Sequence, residues 1–146
     1  MAKFSMNGLN EISASLEQMA NAPEDTKFGM LEAGAQVLIE KWRDKIESLF
    51  GNGQLSDSIK AKRKKGDSPI VQVSPQGNRA SEYRGIRKTK RGGYKKTNAE
   101  VAYVLEYGTP RMDATHWMET ANEEAADSVA EAEAAVWDEY LKSLNL

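Results

Sequence analysis

Apolar residues recur along this chain with two different periods, and the changes of period mark its elements. Lys3 to Met6 alternates, with Phe4 and Met6 on one face, and predicts a short strand ended by Asn7-Gly8. Leu9, Ile12, Leu16 and Met19 then recur every three or four residues, which predicts an amphipathic helix to about Asn21. A second helix start follows at Asn21-Ala22-Pro23-Glu24-Asp25, with a capping Asn, Pro in the first turn and two acids near the positive end of the dipole. Phe28, Leu31, Ala35, Leu38, Trp42, Ile46 and Leu49 make the best helical stripe in the chain and are read as core. Gly51-Asn52-Gly53 stops that helix, glycine being suited to a left-handed C-terminal cap.

From Leu55 the period shifts toward two. Ser56 to Lys62 and Ile70 to Ser74 read as antiparallel strands joined through Lys64-Lys65-Gly66-Asp67. Ile59 and Ala61 are expected to face the core and Ser58, Lys60 and Lys62 to face out, with Pro75 and Gly77 ending the second strand. Residues 76–97, QGNRASEYRGIRKTKRGGYKKT, carry almost no apolar material. Such a segment buries too little surface to offset its ordering entropy, so it is expected to be a mobile basic loop or a long projecting hairpin.

Asn98 to Ala121 organises the rest. It starts as an apolar packed element through Val101, Ala102, Tyr103, Val104, Leu105 and Tyr107, and breaks at Gly108-Thr109-Pro110. Gly108 accepts a positive φ, and Pro110 keeps Thr109 out of the helical region. A long final helix is expected from Asp113 or Thr115 to Leu144, with the stripe Trp117, Ala121, Ala125, Val129, Ala132, Val136, Tyr140 and Leu144. Its small residues suit close approach to the second helix or to a neighbouring subunit. The fold class that follows is α+β: two N-terminal helices and a long C-terminal helix on a small, mainly antiparallel β-sheet. At 146 residues the chain reads as a single domain, residues 1–146, with the acidic final helix spanning residues 113–146.

Charge sharpens this picture. Counting Lys and Arg against Asp and Glu, residues 1–59 carry 5 − 9 = −4, residues 60–96 carry 13 − 2 = +11 and residues 97–146 carry 2 − 11 = −9, which sum to −2. A chain so divided invites an electrostatic partner, either another molecule or a neighbouring copy in an assembly. No stretch approaches the length of a membrane span, and the N-terminus lacks the apolar run of a signal peptide, so a protein made and folded in the cytoplasm is expected.

Candidate chemistry adds little. There is no Cys, which excludes disulfides, thiolate nucleophiles and Cys-based zinc sites, and His116 is the only histidine. No G-x-S-x-G, calcium-loop or phosphate-binding glycine pattern occurs. Glu106, between Tyr103 and Tyr107, is a lone carboxylate and is expected to pair with Arg111 or with a basic residue of a neighbour. The reading is therefore of no enzyme, no cofactor and no metal. The thirteen basic residues of 60–96, with Tyr83 and Tyr94 among them, admit phosphate contact with base stacking, so a DNA-binding accessory protein is the alternative. Docking of that segment on acidic subunit surfaces is preferred, because the chain supplies the complementary acids itself.

Two stretches carry a resemblance. Gly53, Leu55, Ser58 and Ile59 in GQLSDSI, then Ala102, Tyr103, Glu106, Tyr107, Gly108 and Thr109 in AYVLEYGT, resemble the signature of the tail-completion or head–tail joining proteins of long-tailed DNA phages. Where that family carries Ala-Arg-Pro-Phe before its closing helix, this chain has Thr115, His116 and Trp117. The resemblance implies a structural protein of the virion neck, assembled in the bacterial cytoplasm as a ring, six-fold or twelve-fold. Its partners would be its own copies, the tail-terminator and head-closure or connector proteins, and the packaged DNA. The residues expected at subunit or partner contacts are Lys62, Arg63, Lys64, Lys65, Arg84, Arg87, Lys88, Lys90, Arg91, Lys95, Lys96, Glu106, Tyr107, Arg111 and Trp117. Leu55, Ser58, Ile59, Tyr103, Glu106, Gly108 and Thr109 are expected to serve as structural motif residues.

Overall fold

A computed structural model describes residues 6–77, 88–89, 92–93 and 97–144 of the chain. The elements run α1 (Met6–Asn21), α2 (Glu24–Phe50), α3 (Gly53–Ser58), β1 (Ile59–Lys64), β2 (Ile70–Pro75), β3 (Lys88–Thr89), β4 (Gly92–Gly93), α4 (Asn98–Tyr107) and α5 (Trp117–Ser143). This is the α+β layout read from the sequence, with long helices toward both ends and a small antiparallel sheet. No helix among the described residues is long and apolar enough to cross a membrane.

The frame is an antiparallel pair, α2 and α5. Small residues let the two helices close up: a Cβ at Gly34 would lie 2.6 Å from Glu133 Oε1 and 3.0 Å from Val129 Cγ1. At the other end of the contact Trp42 and Trp117 meet edge to face, with centroids 5.4 Å apart. Each indole N–H is satisfied, Trp42 Nε1 donating to Asn122 Oδ1 (2.7 Å) and Trp117 Nε1 to the Ala102 carbonyl (3.3 Å). Such pairing is what allows tryptophan to be buried without a desolvation penalty. Lys41 and Lys45 both reach Glu124 across the same seam, at 2.9 and 3.0 Å. Their hydrogen bonds hold the Glu124 carboxyl below its ordinary value.

The core cluster is Ile39, Trp42, Ile46, Leu55, Ile59, Ala102, Trp117 and Ala121, flanked by Leu38, Phe50, Val73, Val101, Leu105 and Met118. It brings together α2, α3, β1, α4 and α5. β1 and β2 form a two-stranded antiparallel hairpin in the register Ile59↔Pro75 to Lys64↔Ile70, and β3 pairs with β4 through Lys88↔Gly93 and Thr89↔Gly92.

Several expectations need correction. Met6 is helical, so the strand expected at Lys3–Met6 does not reach it; Asn7-Gly8 sits in the first turn of α1, and the residues before Met6 lie outside the described ones. Asn21 ends α1 instead of capping α2. The α2 N-cap is Pro23, whose carbonyl accepts from Thr26 and Lys27. Leu49 is exposed, and Phe50 closes that end of the core in its place. Ser56 and Ser58 are helical and buried, not in a strand facing out. Here Asn52 Oδ1 accepts the Leu55 N–H (3.1 Å) and nucleates a short helix, which Ser58 Oγ closes by donating to the Leu55 carbonyl. Ala61 lies on the same strand face as Ile59 but is exposed. The final helix starts at Trp117, because residues 113–116 are spent on the corner described next.

Candidate functional site

Residues 97–119 form a corner between two helices. Thr97 caps α4, its Oγ1 accepting the Glu100 N–H at 3.1 Å. Asn98 is buried and ties the helix start to the end of the β1–β2 hairpin. Its N–H donates to the Gly77 carbonyl (3.0 Å) and its Nδ2 to the Gln76 carbonyl (2.9 Å). The two ends of the basic segment are thus clamped side by side, which makes it an insertion between β2 and α4.

At the other end of α4 the chain reverses at Gly108, with φ 76° and ψ −174°. A Cβ there would lie 2.6 Å from both the Ala114 nitrogen and the Met112 carbonyl oxygen, so glycine is needed for conformation and for space. A tight turn follows, with Thr109 and Met112 exchanging backbone hydrogen bonds at 2.8 and 3.1 Å. The returning chain then covers the end of α4. Thr115 N–H donates to the Leu105 carbonyl and His116 N–H to that of Glu106, both at 3.1 Å, satisfying acceptors that a helix end leaves open.

Glu106 completes the corner. It is 5% exposed, and its carboxylate accepts the backbone N–H groups of Met118 (2.6 Å) and Glu119 (3.2 Å). The N-cap of α5 is His116, in a left-handed conformation and without a side-chain capping bond. The cap that α5 lacks locally is delivered from α4, where a carboxylate meets both the unpaired N–H groups and the positive end of the dipole. Glu106 therefore does not pair with Arg111, the partner the sequence suggested within the chain; two backbone donors inside the fold claim it. Trp117 likewise leaves the set of contact residues, since it is fully buried at the centre of the core.

Glu106, His116 and Glu119 bring ligand-type atoms within 4.8 Å of one another. Both Glu106 oxygens are already engaged, and His116 Nδ1 faces Glu119 at 3.5 Å, so the group is the capped start of a helix.

The other expected contact residues divide by exposure. Tyr107 is 61% exposed and meets Tyr103, itself 63% exposed, in a tilted ring pair with centroids 4.6 Å apart. Tyr103 was expected to hold the domain together; instead it lies on the outer face of α4, where Ala99, Glu100, Tyr103 and Val104 line a shallow depression of ≈ 470 Å³. Arg111 is exposed in the turn. Lys62, Lys64 and Lys65 are exposed on the hairpin. Arg63 instead turns back onto α2: it forms a two-pronged contact with Glu32 and stacks over the Phe28 ring at 4.7 Å. The Arg63 hydrogen bond holds the Glu32 carboxyl below its ordinary value. Lys88 lies in β3, while Arg84, Arg87, Lys90, Arg91, Lys95 and Lys96 fall outside the described residues. Most of the loop expected over 76–97 therefore falls outside them too.

Two anchoring residues are absent from the set expected from the sequence. Arg43 projects from α2 and donates to the Ser56 (3.2 Å) and Ile59 (2.9 Å) carbonyls, fixing the junction of α3 and β1; nothing in its local pattern marks it out. Asn98 is different, because Thr97-Asn98-Ala99-Glu100 has the spacing of a capping box, which places a helix start there. A scan against protein-family models, a search of curated proteins and a search of solved structures each return no match for this chain.

Proposed function

We propose that this chain is a structural protein of a phage neck, completing the tail and joining it to the head as an oligomeric ring. The observation that carries the reading is the convergence of the two stretches on which the resemblance rests. Leu55 and Ile59 from the first and Ala102 from the second meet in one buried cluster, and Gly108 and Glu106 of the second set the angle between α4 and α5. A motif of this kind builds a rigid corner, and its buried polar groups, Ser58 and Glu106, are consumed within the fold. What remains for partners is an outer surface of opposite charges and exposed tyrosines, which suits assembly better than chemistry.

The test is genetic. Deleting the gene from the phage genome that carries it should leave filled heads and separate, uncompleted tails in negative-stain images of lysates. Joined, infectious particles made without it would overturn the reading. A second reading, a DNA-binding accessory protein using residues 60–96, is favoured by one observation: Lys60, Lys62 and Lys64 stand exposed in a single row. Duplex binding that falls steeply with salt would support it.

A further inference from the structure

The two charged faces of this chain have matching repeats. On β1, Lys60, Lys62 and Lys64 pair across the hairpin with Ser74, Gln72 and Ile70, on the face opposite to that of Ile59 and Arg63. All three lysines are exposed, and none forms an ion pair among the described residues. Alternate residues of a strand are about 6.7 Å apart. On α5, Glu119, Glu123, Asp127 and Glu131 recur every fourth residue along one exposed face. That spacing is about 6 Å along a helix axis. Glu124, one position off the row, turns instead to Lys41 and Lys45.

Over three charges the rows differ by about 1.4 Å, which lysine side chains absorb readily. Like charges four apart weaken a helix, so an opposite row laid along them relieves a cost already present in α5. We propose that the Lys60–Lys62–Lys64 row of one copy docks along the Glu123–Asp127–Glu131 row of a second copy. The contact joins two different faces, so it is head-to-tail and propagates around a ring when the rotation closes. This rests on the assembly reading above and names the surfaces that carry it.

The experiment uses full-length chains and two charge-reversed triples, K60E/K62E/K64E and E123K/D127K/E131K, with circular dichroism confirming that each is folded. Sedimentation at low salt should show self-association weakened by about tenfold or more in each triple, and recovered when the two are mixed. Since the chain has no cysteine, K62C and D127C supply a second readout: mixed under mild oxidation, they should give a heterodisulfide absent from K62C with a distal control such as S143C. Wild-type protein that stays monomeric, triples that associate like wild type, or no heterodisulfide would each overturn the proposal. So would loss of duplex DNA binding in the lysine triple with self-association intact, which would assign the row to nucleic acid. Oligomers indifferent to the triples sink this docking but leave the neck reading standing. Triples that behave as expected, beside joined particles from the deleted phage, sink the neck reading alone.

Discussion

The α4–α5 corner and the β1–β2 hairpin are neighbours that use polar residues in opposite ways. In the corner the buried and half-buried polar side chains turn inward: Thr97 accepts from Glu100, Asn98 donates to Gln76 while its Oδ1 has no partner among the described residues, and Glu106 accepts from Met118 and Glu119. On the hairpin Arg63 is the charged residue that turns inward, while Lys60, Lys62 and Lys64 face solvent. Buried polar groups that are satisfied define a rigid shape, and surface charges contribute little to folding. The difference teaches which part of this molecule is architecture and which part is available to a partner.

The comparison breaks most visibly at Trp117. Replacing it with Ala empties the centre of the core and should cost about 3–5 kcal/mol in chemical denaturation. Gly108→Ala forces an L-residue into a positive φ against backbone atoms and should cost at least about 1–3 kcal/mol by the same measurement. Glu106→Ala, by removing the acceptor of two part-buried N–H groups at the start of α5, should cost about 1–2 kcal/mol, and Glu106→Gln less, because its carbonyl still accepts. A wild-type-like Glu106→Ala would mean that the corner is not held by that carboxylate.

Acid sharpens the contrast at smaller scale. Arg63 lowers Glu32, and Lys41 with Lys45 lowers Glu124, each from an ordinary value of 4.5. A carboxyl lowered in the folded state adds stability that is complete above its unfolded value and is lost as pH falls through the folded one. Thermal melts should therefore decline below about pH 4.5. Glu32→Gln with Glu124→Gln should flatten that decline while shifting the neutral melting temperature only slightly. The lysine triple K60E/K62E/K64E should move the melting temperature least of all, because none of the three side chains is buried.

These contrasts also explain what could be read from the chain. The stripe Phe28, Ala35, Trp42 and Ile46 is legible because one face of α2 carries the apolar contacts to α5, α3 and the hairpin, and all four residues are buried. Gly51 and Gly108 were legible because positive φ restricts the choice of residue. Glu106 was misread because its partners are backbone groups twelve and thirteen residues away, which carry no side-chain signature. Ser56–Ser58 was misread because a six-residue helix is too short to show a period, although Asn52 marked its start. Tyr103 was assigned to the core for its apolar neighbours, while the helical turn places it on the outer face beside Tyr107.

The central claim is that the chain assembles with its own copies through opposite charges. Light scattering coupled to size exclusion, on the full-length protein at low and high salt with and without duplex DNA, tests it most directly. The account predicts a defined oligomer that forms without DNA and dissolves as salt screens the contact. A monomer at both salt concentrations, shifting only when DNA is added, would contradict it and make the basic row a nucleic-acid surface.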